Sequence, residues 1–216
     1  MIEKKHLWNK DIFLKTEYPV ALDSPNHLNP YGGSQQDFTD GTKFAEDLIK
    51  NFPEKKTLLD LGTATGTVPC SMRKVWKELP EILILETCDI SRPFKIVDSL
   101  NEIVKFDFIT AWSVIEHIDP KRLQILFENI NFHLKETGYG IFKIDFGVNE
   151  WHQSIKTKEE WDTLLLKYFG IDREIKEKYN WHYCRPTEDE IKRELELLHT
   201  NNDIRKGGDF WWVRKN

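Results

Sequence analysis

The sequence predicts an α/β fold in which helices flank a mostly parallel sheet. Three apolar runs, at residues 57–61, 82–86 and 106–112, indicate buried strands. Segments with helical periodicity precede, separate and follow these runs. A turn between Gly62 and Gly66 joins the first run to the next helical segment. Strands that alternate with helices in this way are typical of βαβ units and a parallel sheet.

The first helices are predicted from apolar spacing and from the residues that end them. One helix is expected over 42–51, because its apolar side chains recur on one face. A second is expected over 68–79 and ends before Pro80, since proline cannot continue a helix. The apolar residues of the first helix are Phe44, Leu48 and Ile49.

The strand at 106–112 leads into a third helix, predicted over 120–135. Asp119 is a typical N-cap residue, and a proline follows it at the first helical position. Gly138 is interpreted as the C-cap signal that ends this helix before a strand at 139–146. The apolar face of the helix consists of Leu123, Leu126, Phe127, Ile130 and Leu134.

The C-terminal part contains a predicted helix at 187–199 and a predicted strand at 210–213. The helix begins with acidic residues, which are favoured in a first turn. No repeat or linker divides the 216 residues, a length that suits one sizeable core. One domain is therefore expected.

Composition and charge narrow the class of protein. Acidic side chains outnumber basic ones by 36 to 31, for a net charge of -5, which argues against a nucleic-acid partner. No stretch approaches the roughly 20 apolar residues of a membrane span, and no signal peptide is visible. A cytoplasmic protein without membrane attachment is expected.

The three cysteines, Cys70, Cys88 and Cys184, form no CxxC pair and no metal-ligand spacing. A sparse, odd set of this kind suits a reducing compartment. The sequence therefore predicts no metal site.

The stretch 58–66 carries the most specific pattern in the chain. An apolar strand ends in an acidic residue, Asp60, and continues into a turn with glycines at 62 and 66. Glycine permits a sharp bend and a close approach of a ligand to the backbone. Such a turn lies at the carboxyl ends of the strands, where open α/β sheets bind ligands.

This stretch resembles motif I of the class I S-adenosylmethionine-dependent methyltransferases, commonly an E/DxGxxxG turn. The resemblance implies a Rossmann-like sheet that binds S-adenosylmethionine and releases S-adenosylhomocysteine. An NAD-dependent oxidoreductase is disfavoured, because a dinucleotide fingerprint needs GxGxxG spacing. The turn residues implied in cofactor binding are Asp60, Gly62, Thr63, Ala64 and Gly66.

Two further segments resemble the same family in the same order. Residues 88–94 are similar to the segment after the third strand, which implies adenine contacts by Asp89 and Ile90. Residues 106–118 are similar to the fourth strand and its loop, with Trp112 as a further implied cofactor contact. The next helix and the turn into the fifth strand match as well.

The resemblance also divides the single domain by role. Residues 1–41 are expected to form an N-terminal cap segment, 42–146 the cofactor-binding core, and 147–216 the acceptor side. The stretches 23–31 and 151–154 look similar to a subset of bacterial and phage methyltransferases.

The spacing between Gly66 and Asp89 departs from the family pattern, since only one strand fits there. In one register the run 82–85 is strand two, and Glu86 is the acid that holds the ribose hydroxyls. In the other register the run is strand three, the ribose acid is absent, and the fold is shortened by one strand–helix unit. The match of 88–94 favours the second register, in which cofactor binding is weakened.

Transfer of a methyl group to a hydroxyl benefits from a general base. The candidates are His117, just after the fourth strand, and His152, after the fifth. Each also has a plain interpretation as a packing or loop histidine. Glu116 is expected to orient a loop or to cap the following helix.

Two functions stay open at this point. One is an enzyme that methylates a small molecule, with a sugar or a hydroxylated metabolite as the candidate acceptor. The other is a binding or scaffold protein that keeps the fold without catalysis. In either case a monomer or a homodimer is expected.

Overall fold

The fold is described from a computed structural model. The residues that it describes are 7–9, 44, 46–55, 57–62, 81–85, 93–98, 100–146, 152–179 and 208–216. The predicted helices at 68–79 and 187–199 lie outside them. Within the described residues, no helix combines the length and the apolar character that a membrane crossing requires.

The described strands form one large sheet and one small one. They are β1 (Leu7–Asn9), β2 (Thr57–Leu61), β3 (Glu81–Leu85), β4 (Lys95–Val97), β5 (Phe106–Trp112), β6 (Leu134–Asp145), β7 (Phe169–Ile171) and β8 (Gly208–Lys215). β1 and β4 pair in parallel, and the other six strands lie in the order β3-β2-β5-β6-β8-β7. β3, β2, β5 and β6 are parallel neighbours, whereas β8 is antiparallel to β6 and β7. The predicted mostly parallel α/β sheet is confirmed.

The strands at the centre of the sheet are buried on both faces. Leu58 and Leu59, which point to opposite faces of β2, are both fully buried. Phe108 and Ile109 in β5 show the same burial. A parallel sheet covered on both sides requires such uninterrupted apolar runs, which is why these strands were visible in the sequence.

Four helices are described in the structure. They are α1 (residues 46–51, with residue 44 also helical), α2 (Leu123–His133), α3 (Lys158–Leu165) and α4 (Arg173–Lys178). One core includes α2, α3 and one face of the sheet, and a second core includes Phe44 and Leu48 with the opposite face. Adjacent residues of β8 divide between them, since Trp211 belongs to the first core and Trp212 to the second.

The start of α2 agrees with the prediction, whereas its end does not. Asp119 caps a short 3₁₀ turn that leads into α2, as expected. The helix ends at His133 rather than at residue 135, because Leu134 already pairs with Phe106. The C-cap interpretation of Gly138 is therefore wrong. This glycine lies within β6, where a Cβ would stand 2.9 Å from the Phe106 carbonyl oxygen.

Three elements between residues 152 and 179 were not predicted. α3 begins with a capping box, in which Thr157 accepts from the Glu160 N–H and Glu160 accepts from the Thr157 N–H. β7 and α4 follow, and β7 forms the edge of the sheet beside β8. Trp161 of α3 is fully buried and contributes to core packing.

Candidate active site

The glycine turn begins at the carboxyl end of β2. Asp60 is 2% exposed, and its Oδ1 accepts a hydrogen bond of 2.6 Å from the hydroxyl of Thr110, its register partner on β5. Gly62 has a φ of 63°, in the left-handed region where a Cβ is unfavourable. The predicted bend after a buried acid is therefore present.

The remaining predicted cofactor contacts, Thr63, Ala64, Gly66, Glu86, Asp89 and Ile90, lie outside the described residues. β3 nevertheless defines the neighbourhood of the turn, because it pairs directly with β2 and Leu85 is opposite Leu61. Within the described residues, β3 is the one strand between the glycine turn and residue 89.

Trp112, also predicted to contact the cofactor, ends β5. Its ring packs edge to face against Phe44 at 5.3 Å and against Phe210 at 5.1 Å between centroids. These contacts fix the indole beside the second core, and the side chain stays half-buried. A cofactor contact by Trp112 remains a prediction.

The chain turns sharply after β5, at a residue that sequence reasoning did not single out. Ser113 has a φ of 52°, which is uncommon for a residue with a side chain. Its N–H donates to the Lys143 carbonyl on β6 at 2.9 Å. The turn leads into a 3₁₀ helix, Ile115–His117, which brings Glu116 and His117 to the carboxyl edge of the sheet.

Glu116 is fully buried at this edge and connects two segments. Its Oε1 accepts from the Asp145 N–H at 3.2 Å, and its carbonyl oxygen accepts from the N–H groups of Gln153 and Ser154. Burial raises the pKa of Glu116 to about 8, and the nearby Asp145 carboxylate adds to the shift. Glu116 orients the loop after β6, whereas the helix cap comes from Asp119 instead.

The two predicted histidines, His117 and His152, lie against each other. Their ring centroids are 4.6 Å apart in an edge-to-face arrangement, and both residues are half-buried. Ser154 holds the second segment in place, because its hydroxyl donates to the Ile118 carbonyl at 2.6 Å. One ligand atom each of Glu116, His117 and His152 lies within 4.8 Å of the other two. The sequence did not indicate that these residues meet, since His152 belongs to a different segment from Glu116 and His117.

Solved structures with a similar fold include methyltransferases. An S-adenosylmethionine-dependent methyltransferase from Clostridium acetobutylicum ATCC 824 is 15% identical, with 88% of this chain and 95% of that chain covered and a TM-score of 0.49. The mitomycin 7-O-methyltransferase MmcR is 12% identical, with 83% of this chain covered and a TM-score of 0.51. This chain spans 54% of the length of MmcR, and the likeness shows a shared fold.

Sequence comparison identifies the family directly. No curated protein matches the chain. A family model described as a methyltransferase domain matches residues 36–198, which include the glycine turn, the 3₁₀ helix with His117, and His152. This protein belongs to the methyltransferase domain family, and its mostly parallel sheet has the fold of a solved methyltransferase.

Proposed function

We propose that the protein transfers the methyl group of S-adenosylmethionine to a hydroxyl of a small molecule, such as a sugar or another hydroxylated metabolite. The observation that carries the proposal is the contact between His117 and His152. These residues follow β5 and β6 at the same edge of the sheet where Asp60 and Gly62 end β2. An imidazole nitrogen at that edge is a suitable acceptor for the proton that the hydroxyl loses on methyl transfer.

The residues of the glycine turn fit the amino acid end of the cofactor. Gly62 adopts a left-handed conformation and has no side chain to block a ligand, and the Asp60 carboxylate is buried at the start of the bend. A carboxylate in this place accepts from a cationic amino group, directly or through water. Thr63, Ala64 and Gly66 continue the turn in the sequence and complete this part of the proposed site.

We propose that Glu86 holds the ribose hydroxyls, which is the register in which the run 82–85 is strand two. The similarity of residues 88–94 to the family favoured the other register. β3 lies directly beside β2, and Leu85 pairs with Leu61. The next residue in the sequence, Glu86, therefore follows the strand adjacent to the glycine turn, which is what the first register requires. Asp89 and Ile90 come next in the sequence and are proposed for the adenine.

The chemistry is an in-line displacement. When bound, S-adenosylmethionine supplies an electrophilic methyl group, and its sulfur keeps the bonding electrons as the methyl carbon moves to the acceptor oxygen. The chain holds the acceptor hydroxyl in line with that carbon and removes the hydroxyl proton. His117 or His152 accepts the proton at an unprotonated ring nitrogen.

Replacing Asp60 by Asn tests the cofactor site. The variant still accepts the Thr110 hydrogen bond but lacks the negative charge that attracts the amino group. We expect S-adenosylhomocysteine to bind the variant roughly 10- to 100-fold more weakly than the wild type, as measured by titration calorimetry. The exposed Glu128→Gln variant is the matched control and should keep the wild-type affinity.

Ligand binding by the wild type distinguishes a methyltransferase from a non-catalytic scaffold and from an oxidoreductase. A wild-type protein that shows no binding of S-adenosylhomocysteine at millimolar concentration contradicts the proposal and favours a non-catalytic scaffold with this fold. A melting temperature that rises with NAD but not with S-adenosylhomocysteine favours an oxidoreductase instead.

A further inference from the structure

Three side chains with metal-binding atoms converge at the end of β5. They are the carboxylate of Glu116 and the imidazoles of His117 and His152, with one ligand atom of each within 4.8 Å of the others. Two imidazole nitrogens and one carboxylate oxygen form a donor set that zinc and neighbouring transition metals use in proteins.

The buried carboxylate provides a second, independent observation. Glu116 is fully buried, and its Oε1 accepts from the Asp145 N–H. Its Oε2 is also buried and has no hydrogen-bond partner among the described residues. The nearby ammonium of Lys143 pairs with Asp145, at 3.9 Å. A buried carboxyl oxygen without a hydrogen-bond partner is costly, and a cation held by the two imidazoles satisfies it once the carboxyl is ionised.

The backbone around the cluster is already fixed. The Glu116 carbonyl accepts from the N–H groups of Gln153 and Ser154, each at 2.9 Å, and the Ser154 hydroxyl donates to the Ile118 carbonyl. A tetrahedral ion with ligand bonds of about 2.0–2.1 Å needs ligand atoms roughly 3.3 Å apart. The ligand atoms of the cluster lie within 4.8 Å of one another, so the half-buried His117 and His152 side chains must move closer to bind one ion.

From this arrangement we infer that Glu116, His117 and His152 bind one divalent transition-metal ion. Three protein ligands leave an open coordination position, as in catalytic metal sites. The position lies at the carboxyl edge of the sheet, so we assign it to the acceptor hydroxyl. Only this assignment rests on the proposed function, since binding of the ion itself requires neither cofactor nor acceptor.

The inference deepens the proposed mechanism in one respect. A hydroxyl coordinated to a divalent cation loses its proton more readily, because the ion stabilises the oxygen anion. With the ion bound, the proton leaves to the solvent and the two imidazoles hold the ion. Without the ion, His117 or His152 accepts the proton as proposed above. The ion thus performs the activation that a lone imidazole otherwise performs.

Titration of the chelator-treated 216-residue chain with Co²⁺ tests the inference. Visible absorption reports coordination by nitrogen and oxygen ligands, and Zn²⁺ calorimetry gives the stoichiometry. We expect one ion per chain, at least tenfold weaker binding in each of the variants His117→Ala and His152→Ala, and weaker binding in Glu116→Gln. Mg²⁺ should bind far more weakly, since it prefers oxygen ligands alone.

Two controls separate this site from incidental metal binding. The exposed carboxylate variant Glu159→Gln and the variant His133→Asn, whose histidine directly precedes the amino end of β6, should bind Co²⁺ as the wild type does. Unchanged Co²⁺ affinity in all three cluster variants, or no binding by a folded wild-type protein, overturns the inference. Melting curves confirm that each variant is folded.

S-adenosylhomocysteine affinity, measured on the same samples, keeps the two proposals distinguishable. We expect the three cluster variants to retain wild-type affinity for S-adenosylhomocysteine while they lose the ion. Cofactor binding without Co²⁺ binding refutes the metal site alone, whereas Co²⁺ binding without cofactor binding refutes the proposed transferase function alone.

Discussion

His133, the last residue of α2, is a buried histidine whose surroundings keep it neutral. Its Nδ1–H donates to the Val104 carbonyl at 2.8 Å, and its Nε2 accepts from the Ile96 N–H. Its ring stacks on Phe94 with centroids 5.4 Å apart. Desolvation lowers the pKa of His133 from 6.5 to about 4. This side chain joins α2 to β4 and does no chemistry at the proposed site.

The lowered pKa of His133 predicts a loss of stability in acid. Between pH 6.5 and about 4 the unfolded chain binds a proton that folded His133 does not bind. Its contribution is therefore fully present above pH 6.5 and declines as the pH falls, by an amount on the order of 2–3 kcal/mol. His133→Asn, which can still donate to the Val104 carbonyl, should show a smaller decline in urea unfolding across this range.

The wild type and His133→Asn must be compared at each pH, because Glu116 also changes the stability of both proteins with pH. Its raised pKa of about 8 contributes stability that is fully present below the ordinary carboxyl pKa and is lost as the pH rises towards 8. This trend is opposite to that of His133. Both proteins contain Glu116, so its contribution cancels when the unfolding free energy of His133→Asn is subtracted from that of the wild type. If this difference does not change with pH, the prediction for His133 is contradicted.

Some residues of the site could be identified from sequence, because their signal is local. Asp60 and Gly62 are two positions apart at the end of one apolar run, and the structure has a buried acid and a left-handed glycine there. The cluster around Glu116 has no local signal. It depends on the left-handed turn at Ser113, which is bonded to Lys143 of β6, and on the docking of residues 152–154 on the Glu116 carbonyl. Both contacts join segments that are distant in the sequence.

At the scale of single elements, the capping box of α3 contributes measurably to stability. Thr157 and Glu160 satisfy two N–H groups at the helix start that have no partner within the helix. We expect Thr157→Ala to lower the unfolding free energy by about 1 kcal/mol, as measured by urea denaturation. Thr163→Ala, an exposed substitution within the same helix, serves as the reference and should cost clearly less. Equal losses in the two variants would show that the cap is not responsible.

The helices and strands that could be predicted from the sequence were those with long buried apolar runs. β2 and β5 were predicted with their observed bounds, because a strand covered on both faces needs a continuous apolar run. The short α3, β7 and α4 were missed, since each carries few apolar residues and is stabilised by capping and by contact with β8. The end of α2 was misplaced because a close approach between β5 and β6, rather than a helix cap, requires Gly138.

At the scale of the whole molecule, β8 joins parts of the chain that the sequence leaves unconnected. It lies between β6 and β7 and is antiparallel to both. Asp209 at its start forms ion pairs with Lys158 of α3 and Lys176 of α4. No local pattern indicates which strands a C-terminal strand will pair with, so this position in the sheet could not be predicted. The strand couples the two cores because consecutive side chains point to opposite faces.

The two tryptophans of β8 therefore test whether the chain unfolds as one domain. Trp211 belongs to the first core, and its indole N–H donates to the Asp162 carboxylate. Trp212 belongs to the second core and packs against Phe52 and Tyr139. Both are fully buried, so we expect Trp211→Phe and Trp212→Phe each to lower the unfolding free energy by roughly 1–3 kcal/mol. Because one sheet separates the cores, each substitution should shift the same single transition, followed by circular dichroism in urea. The half-exposed Leu166, changed to Ala, should leave the midpoint nearly unchanged. Two separate transitions, each sensitive to one tryptophan, would instead divide the chain into independently folding units.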